Sequence, residues 1–429
     1  MRDKTGLINR LAHKTPFYYG WLILFAAGDA MFVRNAAASL TLAVFIFPIS
    51  DDLGWSRTLI AGAASLGGLV AAVTSPIVGW ASDKYGVRLI LTISVLAMGI
   101  STFSLAWATV PIAFYLAFGM GRVLFSSSFQ IGPSVVVSRW FVRRRGRATG
   151  MLFLAHSMGM VLFPLIAGMV IHYWGWQAAW MVLGAIVWVA ALGPVSLLIR
   201  QSPEAMGLAP DLPQGRPEDE SGTVPAPSEE PDWTLRDARR TPTLWLMALA
   251  TGILFLMQAG TNTHQGAYFI DQDLGGVISA LSISFNAAFT GIGSLIWGWL
   301  VERVSVRYCY AAVAVVMVVA LFLFPSVNTV WQALLVASLF GLSVGGILVV
   351  PAVAYANYFG RRSIGVIRGV TEPFVSLGQA IGVVFSGLVF DITGSYHFAF
   401  ITLAVIGIAA IGLILLTKPP HLAAKAPAR

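Results

Sequence analysis

Two arginines stand where arginine is costly. Arg34, in MFVRNAAASL, and Arg122, in GMGRVLFSSSFQ, both fall inside apolar runs long enough to cross a bilayer. An unpaired guanidinium at mid-bilayer costs at least about 2.5–3.5 kcal/mol, so each needs a partner. The planar guanidinium matches a carboxylate through two parallel hydrogen bonds. Two such groups facing one cavity could clamp a carboxylate, with Arg34 as the primary contact and Arg122 as the second. Arg34 lies about 16 residues into its run, roughly 24 Å deep at 1.5 Å per residue, and Arg122 is at similar depth. Cations at one depth repel unless an anion or an acid lies between them.

Asp29 is the nearest acid in sequence. It is five positions from Arg34 and so about 140° round the helix, off the face that carries Arg34. The expectation is that Asp29 points to Arg122 while Arg34 faces the cavity. A buried acid whose partner comes and goes changes its proton affinity, which makes Asp29 the leading proton carrier. His264 is the second candidate, because imidazole titrates near neutral pH. Further along, Gln258, Asn262 and Gln265 recur at i, i+4 and i+7, one stripe of one helix. Asn286 and Thr290 lie on a second stripe with Ser282 and Ser294. Amides in hydrocarbon must face a cavity or another helix, so these five residues are candidate substrate contacts. Ser126, Ser127 and Gln130 are expected to pack, His156 to be a satisfied core histidine, and Glu372 to be a structural acid near Arg368.

These residues need a frame, and composition supplies one. Only 11% of 429 residues are charged and 57% are hydrophobic, against roughly 25% charged in soluble domains. Twelve apolar runs read as spanning helices, near 18–48, 57–81, 87–107, 111–138, 147–172, 176–199, 242–270, 277–301, 307–326, 329–358, 366–391 and 396–417. Residues 1–200 form one set of six spans and 241–417 the other. Between them, 201–240 is a Pro-, Glu-, Asp- and Ser-rich cytoplasmic linker, and 418–429 is a tail. Of 27 Lys and Arg, two are inside spans, Arg57 follows the first span, and the rest are read on one side. That places both termini and the linker in the cytoplasm and makes the basic balance a topology signal, not a nucleic-acid surface. A lone Cys309 excludes a disulfide framework, and no metal or cofactor is expected.

The halves repeat. GWASDKYGVR (79–88) matches GWLVERVSVR (298–307) at an offset of 219, and Gly146/Gly365, Gly150/Gly369, Gly159/Gly378, Gly168/Gly387 and Gly175/Gly394 keep it. The fold class is therefore an all-α membrane protein, two parallel six-helix bundles with a site near the midplane between them.

At this point the chain resembles the major facilitator superfamily. That family's loop signature appears as Gly79, Asp83, Lys84, Gly86 and Arg88, with a second-half echo in Glu302 and Arg303. The resemblance implies a gating latch at these residues. YYGW (18–21), LGWSR (53–57) and WFVRRRGRATG (140–150) are similar to bacterial monocarboxylate porters and oxalate/formate exchangers. Members of those branches commonly carry a cation on the eighth or eleventh helix. Here the eighth has none and the eleventh has no Lys or Arg after Gly369, so an anion's cationic partner is expected from the first half.

The function expected is secondary transport of a small organic anion, a monocarboxylate, by proton symport or exchange, in a bacterial inner membrane and as a monomer. The alternative is proton-coupled efflux of a drug or metabolite, against which Met160 replaces the proline expected after Gly159. No GxxxxGKS motif for ATP and no HExxH occurs, which argues against ATP hydrolysis and against an HExxH metalloprotease.

Overall fold

The computed structural model describes residues 17–211 and 233–420. The N-terminal segment to 16, the middle of the linker and the tail from 421 lie outside the described residues. Among the described residues, eleven helical stretches are long and apolar enough to span a bilayer. One, Arg145–Leu198, is 54 residues long and has a non-helical backbone at Gly175, φ 84° and ψ 171°. A positive φ is cheap only for glycine. The chain turns there, so this stretch is two spans and the total is twelve.

The first four spans are Gly20–Leu53, Arg57–Tyr85, Val87–Trp107 and Pro111–Trp140, and the two parts of Arg145–Leu198 are the fifth and sixth. The second half holds Pro242–Asp271, Gly275–Leu300, Val306–Ser326, Val330–Phe359, Ile364–Thr393 and His397–Leu416. Their ends carry recognisable stop and start chemistry. Gly54 closes the first span in the left-handed conformation, and the Ser56 hydroxyl accepts from Leu59 N to open the second. Thr329 and Gln332 form a reciprocal capping box at the tenth.

Two spans are interrupted, each beside the arginine it carries. The first unwinds into a 3₁₀ turn over Arg34–Ala37, and Ala38 is extended. Carbonyls freed by such a break need other donors. Thr41 Oγ1 donates to Asn35 O at 2.7 Å, and Asn35 Nδ2 donates to Met31 O and Phe32 O. The fourth span breaks at Ser127, whose hydroxyl donates to Val123 O at 2.6 Å.

In the first bundle the first span packs on the fifth and the second on the fourth; in the second bundle the seventh packs on the eleventh and the eighth on the tenth. Two seams join the bundles, second span to eleventh and fifth span to eighth. Glycines make both possible. A Cβ at Gly79 would strike the carbonyl of Gly365, and one at Gly298 would strike the carbonyl of Gly146. Those four glycines are two pairs at the 219 offset, so the seams are related by the repeat. Apolar side chains such as Val73 and Val189 are largely exposed on the outside. A surface of that kind faces lipid, and the protein is integral to a membrane.

Candidate functional site

Arg34 is buried, 4% exposed, at the unwound turn of the first span. Its Nη1 donates to Gln130 Oε1 at 2.7 Å and lies 3.7 Å from Met31 Sδ. Its Cζ stands 3.9 Å from the centre of the Phe125 ring, and Arg122 Cζ stands 4.5 Å from the same centre. Both Nε atoms are buried without a hydrogen-bond partner. The two cations therefore share one aromatic ring. Each cation–π contact is worth about 0.5–2 kcal/mol, too little to offset a buried guanidinium. Among the described residues neither arginine forms an ion pair. Glu372, across the interface, acts on Arg34 electrostatically without touching it. The site carries surplus positive charge and spare donors, the chemistry of an anion site.

Gln130, expected to pack, holds the Arg34 fork instead. Losing a hydrogen bond to a charged group costs about 1.5–3 kcal/mol. Gln130→Leu is therefore expected to weaken anion binding about tenfold with the melting temperature little changed, measured by calorimetric titration and thermal unfolding of the purified protein.

Between the halves lies a small enclosed cavity of about 20 Å³. Gln130 lines it from the fourth span, Thr251 from the seventh, Tyr355 from the tenth, and Arg368 and Glu372 from the eleventh. Arg368 corrects the sequence reading. Counted among the loop cations, it lies one turn inside Ile364–Thr393, 7% exposed, and donates across the interface to Ser134 Oγ. The second half does supply a buried cation.

The amide stripes form one network. Asn286 Nδ2 donates to Asn262 Oδ1 at 2.8 Å and to Gln265 Oε1 at 3.1 Å, and Thr290 Oγ1 donates to Asn286 O. Gln258 stands apart, with its Oε1 buried and unpartnered. Asp29 is not brought to Arg122: its Oδ2 is buried without a partner, and no ion pair joins them. The first span's break turns the Arg34 fork to Phe125, and the same ring occupies Arg122. His264 has both nitrogens engaged, Nε2 with Val383 O at 3.1 Å and Nδ1 with the Tyr396 hydroxyl at 3.2 Å. It ties the seventh, eleventh and twelfth spans together. His156 is a satisfied core residue, its ring Nδ1 3.2 Å from Asn35 Nδ2.

The signature residues join the two halves at the linker end. Asp83 pairs with Arg139 at 2.5 Å and accepts from Val366 N at 2.7 Å, capping the eleventh span from the other half. Glu302 pairs with Arg147 at 2.9 Å and accepts from Arg147 N, capping the fifth. The carboxylate-to-backbone contact is the same one twice, since Asp83 and Glu302, and Arg147 and Val366, are both 219 apart. Lys84 stacks on Trp80 and Arg303 on Trp299, again at that offset. Arg88 donates to Ser196 O at 2.7 Å, and Gly86 takes φ 96° to turn into the third span.

The arrangement has known counterparts. A family model described as Major Facilitator Superfamily matches residues 22–289 and 253–429. "Membrane sensor protein UhpC" of Salmonella typhimurium is 27% identical over 92% of this chain and 88% of its own. "Monocarboxylate transporter 11" of Mus musculus is 24% identical over 89% and 84%. The crystal structure of the human organic anion transporter MFSD10 superposes with a TM-score of 0.68 at 12% identity, covering 94% of this chain and all of that one.

Proposed function

Because this chain belongs to the Major Facilitator Superfamily, and is a transporter, not an enzyme, we propose that it carries a small organic anion, a monocarboxylate, by proton symport or by exchange. One observation carries the reading: Arg34, at a helix break between the halves, is a buried cation with an unpartnered donor and no acid in contact. A carboxylate presents two oxygens to such a fork and neutralises it. Arg122, on the same Phe125 ring, adds positive charge, and the Asn262–Gln265–Asn286–Thr290 network supplies polar groups from the second half. The name of one relative, a monocarboxylate transporter, fits that chemistry. The one-sided Lys and Arg distribution supports an inner-membrane protein with its linker cytoplasmic. Alternating access would open the Asp83–Arg139 and Glu302–Arg147 gate while the bundles rock about the site.

The test is uptake of labelled monocarboxylates, a dicarboxylate and a phosphate monoester by wild-type protein in liposomes, with and without an inward proton gradient. Uptake of one or more monocarboxylates is the expected result. Uptake of no anion, with efflux of a neutral or cationic compound, would replace this reading with the efflux alternative.

A further inference from the structure

We infer that Glu372, and not Asp29 or His264, binds the proton that travels with the anion, with Arg368 as the cation that keeps it ready to do so. The inference rests on the proposed proton-coupled anion transport. Glu372 is 4% exposed, and its Oε2 lies 4.0 Å from Arg368 Nη2 on the next turn of the same helix. Arg368 reaches across the interface to Ser134. On the other side of the small cavity Gln130 holds Arg34. Two polar pairs therefore meet at this cavity, Gln130 with Arg34 from the first half, and Glu372 with Arg368, which reaches Ser134, from the second.

The charged and titratable groups facing Glu372 are few. Arg368 comes from its own helix, Arg34 from the first span and Tyr355 from the tenth. The fourth and seventh spans present no charged group to the cavity, only the polar Gln130 and Thr251 beside the apolar Phe255. One turn away, Gly369 packs on Ser75 and Gly79 of the second span, which seals Glu372 from the linker side. When that seam parts, the same face meets water.

A buried carboxylate needs either a cation or a proton. With the anion site empty, Glu372 has Arg368 at 4.0 Å and the longer-range field of Arg34. A substrate anion at Arg34 offsets that field, and the excess negative charge is cancelled if Glu372 takes a proton from water on the open side. No bond other than that O–H forms. Anion and proton then bind together, one to one, and leave together when the substrate releases Arg34. Asp29 has no arginine to lose, and His264 lies outside the interface.

Liposome uptake separates the possibilities. Wild type is expected to accumulate monocarboxylate about tenfold faster with an inward proton gradient, whereas Glu372→Gln shows no acceleration yet still exchanges labelled for unlabelled substrate within about threefold of wild type. Asp29→Asn is expected to keep the acceleration. Continued acceleration in Glu372→Gln would overturn the inference, as would loss of exchange together with drive, the mark of a structural ion pair. Absence of proton drive in wild type would instead remove the symport reading beneath it. If Glu372→Gln does not fold, Arg368→Gln decides: the pH profile of uptake is expected to move toward alkaline pH, because the neighbouring cation is gone, and an unmoved profile would overturn the proposal.

Discussion

Arg34→Gln is expected to abolish measurable anion uptake while leaving a folded, membrane-inserted protein. The change removes a charge-assisted, two-point contact worth about 1.5–3 kcal/mol, a loss of roughly 10–150-fold in affinity. It also removes positive charge that, on the proposed function, would attract the anion. The fold should tolerate it, since the shorter Gln keeps a polar group near Gln130 and Phe125, and a buried unpaired cation is a cost to stability, not a gain. The melting temperature is expected to hold or rise. Uptake and thermal unfolding, measured on one preparation, check both statements. Lost uptake with a collapsed melting temperature would make Arg34 a structural ion.

Gly79→Val should produce the second large effect, by a different route. The Gly79 position touches the Gly365 carbonyl and Gly369 across the seam, so any side chain there forces the second and eleventh spans apart. Close-packed interfaces do not absorb a new isopropyl group by compression. The displaced contacts include Asp83 to Val366 N, one of the two caps that hold the linker end shut. Net flux is expected to fall by at least about tenfold, because a transporter held open on one side cannot complete its cycle. Anion binding should survive within about threefold, since Arg34 and Gln130 are on other elements. The check is labelling of a reporter cysteine at Ser75, a fully buried position beside Gly369, with a maleimide applied from the linker side. Labelling faster than in the parent is the expected result. Gly298→Val should reproduce it at the partner seam, with the reporter moved to Ser294.

How much of this could be read without coordinates differs from residue to residue. The glycines of both seams were visible because an internal repeat preserves spacing, and close helix crossings demand glycine at fixed positions. The site arginines were visible because a charge in an apolar run is rare. The break at Arg34–Ala37 was not, because RNAAA holds neither proline nor glycine; a tertiary contact from Asn35 to His156 O and a local bond from Thr41 hold it open. Nor was the shared Phe125, whose i+3 spacing from Arg122 is ordinary in any helix. Arg368 was misplaced for a simple reason: basic residues at 361 and 362 made it look like the tail of a loop cluster. Only the helix start at Ile364 turns it inward. The Asp29–Arg122 pair failed on geometry that no helical wheel contains, since the wheel places faces on one helix and says nothing of which neighbour meets them.

The most direct test of an anion clamp at Arg34 is calorimetric binding of propionate and of propionamide to the purified wild-type protein and to Arg34→Gln. The two ligands share shape and differ in charge, so the difference in their affinities reads the guanidinium–carboxylate interaction alone. The expected result is propionate bound at least about tenfold more tightly than propionamide by wild type, with the preference gone in Arg34→Gln. A preference for the carboxylate that survives in Arg34→Gln, or no preference in wild type, would contradict the clamp.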